Sequence, residues 1–180
     1  MNVQTVARAG ISVALLAISA WVSLAIGPVP FTLQTMVLAL LPAVLDRQGA
    51  CLAVAAYLLL GGIGLPVFAG FGAGIGTLAG PTGGFLWGFL IGIFAATTLV
   101  RVLPESMPEL ARLLFADVTM LLIAYACGTV QLMAVAQLSL PGALAVAVIP
   151  FIIPDAVKLF VGASIGLAAH RALGRAHLAS

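Results

Sequence analysis

Apolar residues along this chain come neither in strict alternation nor in amphipathic stripes, but in long runs. Five clusters of glycine, proline or charge separate them: Gly27-Pro28-Val29-Pro30, Asp46-Arg47-Gln48-Gly49, Gly61 to Gly84, Pro104 to Arg112, and Leu138 to Asp155. A helix that is apolar on every face must be buried in protein or lipid on every side. The five breaks leave six segments, at about 9–26, 31–45, 50–60, 85–103, 113–137 and 155–172. With about 20 residues needed per span, the pattern predicts an all-α polytopic membrane protein. It would have six transmembrane helices, a Gly-rich loop between helices 3 and 4, and a single integral membrane domain over residues 1–180. The second and third segments are short. Short spans cross only where the flanking loops are buried or line a cavity, so a cavity is expected. Ala9 to Ile26, behind Arg8, is long for a signal-peptide core and is followed by further apolar runs, so it reads as a retained first span.

Composition sharpens this picture. Of 180 residues, 63% are hydrophobic and 7% charged, against about 25% charged in an average soluble domain. Five acidic and seven basic side chains cannot cover the surface of a water-soluble globule. A net charge of +2 without any Lys/Arg run also excludes a surface built to follow nucleic-acid phosphates. The position of the bases matters more than their number. Arg8, Arg47, Arg101, Arg112, Arg171 and Arg175 all fall on one side of a six-span arrangement, and only Lys158 falls on the other. Cytoplasmic loops are enriched in Lys and Arg, so both termini are expected in the cytoplasm.

Small residues predict where helices meet, because close packing rather than water exclusion associates helices in lipid. Gly84, Gly88, Gly92 and Ala96 form one smooth ridge on the fourth span. Ala7, Gly10, Ala14 and Ala17 form a second stripe on the first, which serves either intramolecular packing or a partner protein. Cys51 and Cys127, each inside an apolar run, read as small packing residues.

Charges within spans are the candidates for function. Asp117 reads as a partner for Arg112 or as a group snorkelling to the interface. Asp155 and Lys158 stand three apart behind Pro154, and Lys158 is the only lysine. Asp155 could cap the sixth helix. A lysine in a first turn opposes the macrodipole, however, so an anionic ligand at that helix start accounts better for the pair. The connection from Gly61 to Gly84 carries ten glycines, two prolines and no charge, a composition that lets backbone approach a small molecule closely. Its Gly74-Ile75-Gly76-Thr77-Leu78-Ala79 stretch is not a dinucleotide fingerprint. No acid follows before Glu105 and no strand–helix unit surrounds it. No GxxxxGK[ST] loop, GxSxG elbow or HExxH motif occurs, and His170 and His177 have no cysteine or carboxylate nearby in sequence. Neither a metal site nor a cofactor is expected, and a ligand-binding membrane protein is favoured over an enzyme.

Four motifs, in order along the chain, resemble the BioY family, the biotin-binding S components of energy-coupling factor (ECF) transporters. They are Pro28-Val29-Pro30-Phe31-Thr32-Leu33-Gln34-Thr35, the stretch Tyr57 to Gly70 (YLLLGGIGLPVFAG), Gly80-Pro81-Thr82-Gly83-Gly84-Phe85, and Pro154-Asp155-Ala156-Val157-Lys158. The resemblance implies a six-helix protein of a bacterial or archaeal cell membrane, with a biotin pocket near the extracellular face. Asp155, Lys158, Phe85, Thr82, Gly83 and Gly76 would line that pocket, and Phe31 to Gln34 would cover it. Lys158 would meet a charged or carbonyl acceptor, Asp155 a ureido N–H or Lys158 itself, and Phe85 the ring system. Phe85 stands where relatives often carry tyrosine, and no base precedes Arg101 on the fourth span, so the polar part of the site would be lean. The implied partners are a transmembrane coupling subunit, which would meet Ala7, Gly10, Ala14 and Ala17, and a cytoplasmic ATPase pair. S components for other vitamins, stand-alone transport and association between copies of the chain are left open.

Overall fold

The computed structural model describes residues 3–25 and 27–178. Helix α1 (Val3–Trp21) is followed by a two-residue antiparallel pair, β1 (Ser23–Leu24) and β2 (Phe31–Thr32), with Ser23 opposite Thr32 and Leu24 opposite Phe31. The first apolar segment was expected to continue as helix to residue 26, and the second to begin at residue 31. Hydrophobicity alone does not separate helix from strand in a short apolar stretch, and here the hairpin takes the backbone groups. Leu33 N–H then donates to the Ser19 carbonyl at 3.1 Å, tying the hairpin to α1.

Helix α2 (Gln34–Val44) is separated from α3 (Arg47–Gly62) by a cap at Asp46, whose side chain accepts from Gly49 N–H at 3.0 Å. The glycine-rich connection holds a 3₁₀ turn at Ala69–Phe71 and the short helix α4 (Ile75–Ala79). Then come α5 (Gly83–Val102) and α6 (Glu109–Ala136), which ends at Gln137 in a left-handed conformation, φ 53°. Residues 138–155 were expected to be a plain break. They contain α7 (Leu140–Ala147), capped by Ser139, and a 3₁₀ turn at Ile149–Phe151 leading into α8 (Ile152–Leu178). Ser139 with Pro141 in the first turn is a helix-start signal, and the surrounding apolar residues obscured it.

Among the described residues, three helical stretches are long and apolar enough to cross a membrane: Gly83–Val102, Glu109–Ala136 and Leu140–Ala172. Their outward residues are themselves apolar, among them Ile91, Phe94, Phe115, Leu122, Val157 and Phe160, the reverse of a soluble surface. The Gly84/Gly88/Gly92 ridge lies on the backbone of α6. A methyl at Gly88 would stand 2.6 Å from Ala124 Cα, and one at Gly92 would stand 2.8 Å from the Met120 carbonyl. Helices α5 and α6 therefore run antiparallel in close contact. Gly162 and Gly166 of α8 meet the Met36 and Leu40 carbonyls of α2 in the same manner, which sets α2 parallel to α8. One end of the bundle carries the hairpin, the glycine-rich connection and α7. At the other, Arg171 pairs with Glu109 at 3.3 Å on the surface.

Candidate functional site

The hairpin end of α2, α5, α6 and α8 surrounds a cavity that, with its open mouth included, spans about 770 Å³ of empty space. Most of the wall is apolar: Phe68, Phe85, Leu86, Phe89, Leu121 and Phe151 line it. The polar groups gather on one side.

At their centre is Asp155, on the first turns of α8 and 3% exposed. One carboxylate oxygen faces Lys158 Nζ at 2.6 Å and accepts from the Thr35 hydroxyl at 3.0 Å. The other accepts from the Tyr125 hydroxyl at 2.7 Å. A bare buried pair gains little over apolar residues, but one whose remaining lone pairs are satisfied is well held. Helices α2 and α6 each supply one of those satisfying hydroxyls. Asp155 is thus held by side chains, not employed as a helix cap. Lys158 also donates to the Thr32 carbonyl at 2.8 Å, and its ammonium lies 4.0 Å from the centre of the Phe31 ring. The face of that ring is negative. Asp155, Thr32 and Phe31 therefore occupy the three directions in which an ammonium group can donate.

A second network braces the wall. Gln34 donates to the Tyr57 hydroxyl at 2.8 Å, Tyr57 donates to the Val67 carbonyl at 3.0 Å, and Thr32 donates to Gln34 Oε1 at 3.1 Å. The hairpin, α2, α3 and the glycine-rich connection are joined through it. The Phe68 ring packs edge-on against Tyr57, 5.4 Å between centroids, and occupies the space that a side chain at Gly61 would need. Outside the cavity, Gln131 of α6 donates from Nε2 to the Leu78 carbonyl at 2.9 Å and the Gly80 carbonyl at 2.7 Å. It fixes the turn that leads to Thr82 and Phe85.

The structure brings Asp155, Lys158, Phe85, Thr82 and Gln34 to this one cavity. Gly83 and Gly76 are not among its lining. Gly83 is buried against the Leu78 carbonyl and the Gln131 amide, where its missing side chain makes room for the clamp, and Gly76 is exposed, with open space where a side chain would stand. Phe31 lines a neighbouring apolar hollow and stacks on Phe151 at 6.3 Å. On α1, Ala7, Gly10 and Ala14 are exposed, whereas Ala17 is buried. Asp117 neither pairs with Arg112 nor reaches the interface. It is fully buried, and neither carboxylate oxygen has a hydrogen-bond partner among the described residues. Sequence reasoning missed Tyr125, Thr35, Tyr57 and Gln131. The two tyrosines are the only ones in the chain and sit inside apolar runs, which was the available signal, because a buried phenol needs a partner.

A helical membrane bundle with a mostly apolar cavity and one saturated ion pair defines a protein that binds a small solute. The chain belongs to the BioY family, whose family model matches residues 1–175. It is 41% identical over 160 residues to the biotin transporter BioY of Thermotoga maritima, covering 89% of this chain and 92% of that one. It is 34% identical over 161 residues to the biotin transporter BioY2 of Lactococcus lactis subsp. cremoris, covering 89% and 86%. Its fold matches a crystal structure described as the S-component for biotin from an ECF-type ABC transporter, with TM-score 0.86 and 24% identity over 94% of this chain and 92% of that one. By family and by the names of its relatives the chain is a membrane transporter.

Proposed function

We propose that this chain is a biotin-binding S component that captures biotin in the cavity beside Asp155 and Lys158 and delivers it across the membrane with an ATP-driven coupling module. The observation that carries the reading is the fully satisfied Asp155–Lys158 pair on the wall of an otherwise apolar cavity. Biotin offers the complement: a carboxylate, a planar ureido group with N–H donors and a carbonyl acceptor, and an apolar thioether ring. Lys158 meets an acceptor of the ligand, Asp155 orients Lys158 or accepts a ureido N–H, and Phe85 and Thr82 pack on and bond the bicyclic ring. Gln34 and Phe31 shape the cover.

In this reading α1, α2, α3, α5, α6 and α8 are six spans with both termini in the cytoplasm. The 11 residues of α2 rise only about 16 Å, so the extended chain before it supplies the rest of that crossing, inside protein where exposed backbone is tolerated. The exposed small residues Ala7, Gly10 and Ala14, flanked by exposed Val6, Ile11 and Ile18, form the face for a transmembrane coupling subunit, which in turn carries the paired ATPases.

The test is equilibrium binding of labelled biotin to the purified chain, with riboflavin and thiamine as competitors. Retention of biotin that excess biotin alone displaces is the expected result. Failure to retain biotin, or equal displacement by another vitamin, overturns the assignment.

A further inference from the structure

Among the charged side chains of the interior, Asp155 and Lys158 account for each other, but Asp117 is unaccounted for. It is wholly buried in α6, and both carboxylate oxygens lack a partner among the described residues. The surrounding elements offer it nothing. Gly92 of α5 lies on the Met120 backbone, and one turn further the same register brings buried Ala96 to the level of Ala116 and Asp117. On α8, the contacts of Tyr125 with Asp155 and Glu109 with Arg171 bracket Asp117, and buried Ala163 lies midway between them.

The charged and titratable groups on these elements are accounted for one by one. Helices α2 and α7 carry none, and α5 carries only Arg101, which is exposed. On α8, Lys158 is paired with Asp155 toward the cavity, Arg171 is paired with Glu109 at the far end, and His170 is exposed. Arg175 and His177 lie outside the described side chains. On α6 itself Tyr125 is engaged by Asp155, Cys127 lies ten residues further on, and Arg112, five residues back and so roughly 140° around the helix, makes no ion pair with Asp117, its own buried Nε also lacking a partner among the described residues.

An ionised carboxylate with neither cation nor donor is not tolerated in such surroundings. A carboxyl group carrying its own proton is. The position of Asp117 relative to the cavity gives that proton a role. Asp117, Leu121 and Tyr125 recur at intervals of four along one face of α6. Leu121 and Tyr125 line the cavity, so Asp117 lies one turn, about 6 Å of rise, beneath its floor.

We propose that Asp117 is a proton-binding site coupled to occupancy of the cavity. Its O–H bond is held more firmly while an anionic ligand occupies the cavity, because the ligand's negative charge opposes a second one beneath the floor. When the cavity empties, that charge leaves and the proton is released to bulk water more readily. The coupling rests on the cavity being the biotin site; the proton site itself does not.

Infrared spectroscopy of the purified full chain tests both parts. The other four acids, Asp46, Glu105, Glu109 and Asp155, are either exposed or hydrogen-bonded to donors, so an un-ionised carboxylic acid band at neutral pH reports Asp117. Wild type is expected to show the band, Asp117→Asn to lack it, and Asp117→Glu to shift it. Absence from wild type, or persistence in Asp117→Asn, overturns the site. With saturating biotin, the pH at which half the band is lost is expected to rise by about one unit, the effect of one charge roughly 10 Å away at an effective dielectric of about 20. An unchanged midpoint in protein that retains labelled biotin overturns the coupling. Protein that fails to retain biotin counts against the proposed function and leaves the comparison with Asp117→Asn intact.

Discussion

Tyr125 and Asp155, thirty residues apart in sequence, meet at 2.7 Å across the interface of α6 and α8. The contact makes the ion pair of α8 part of the cavity wall instead of an isolated charge couple. Hydrogen bonds to a charged group contribute about 1.5–3 kcal/mol. Tyr125→Phe keeps the ring and removes only the hydroxyl, so unfolding in detergent is expected at lower temperature, with biotin affinity reduced about 3- to 10-fold. Unchanged melting and binding would mean that the hydroxyl contributes nothing.

Lys158→Ala removes the single ammonium group of the cavity and leaves Asp155 without its cation. Equilibrium binding is expected to weaken at least about 10-fold, because the substitution leaves Asp155 as an uncompensated buried charge on the cavity wall. Binding within a factor of two of wild type would place the ligand elsewhere.

Stability and binding separate when both partners of the pair are replaced. Breaking a buried pair on one side costs about 3–5 kcal/mol, whereas exchanging both members for apolar residues is often neutral or stabilising. The double variant Asp155→Leu/Lys158→Met is therefore expected to melt above either single variant while retaining no biotin. Thermal unfolding followed by tryptophan fluorescence, beside a binding assay, checks both halves.

Gln131 touches no part of the cavity, yet it holds the turn that places Thr82 and Phe85. Gln131→Glu sets a carboxylate against two carbonyls in place of two N–H donors. Hydrogen exchange is expected to rise across residues 75–86 and to stay unchanged in α8, with biotin affinity falling about 10-fold.

The ridge of α5 gives a prediction about assembly alone. A methyl at Gly88 would stand 2.6 Å from Ala124 Cα, which is backbone and cannot turn aside. Overpacking of this kind costs about 1–3 kcal/mol, so Gly88→Ala is expected to lower the melting temperature, whereas Gly10→Ala, with open space around it, leaves it unchanged.

The long spans, the glycine ridge and the Asp155–Lys158 pair were legible because each is a local pattern: an unbroken apolar run, a repeat of four, two charges one turn apart. The hairpin at residues 23–32 was not, because its pairing lies within a stretch apolar throughout, where hydrophobicity has no period to read. Tyr125, Thr35 and Gln131 escaped for another reason. Each acts on a residue between 30 and 120 positions away, so its own neighbourhood does not say which group it meets. Gly83 illustrates the converse. Its motif drew attention to the right turn, but the glycine serves a neighbouring amide rather than facing the cavity.

The carbonyl of Thr32 and the ring of Phe31 give Lys158 a consequence for recognition. Because the ammonium is already served on all sides, an arriving acceptor replaces one of these partners instead of adding to them. Capture at this point is a swap, and its net gain is a difference between two similar contacts. The lysine then rewards only an acceptor that outcompetes the carbonyl or the ring it displaces, and the aromatic and aliphatic walls hold the rest of the ligand.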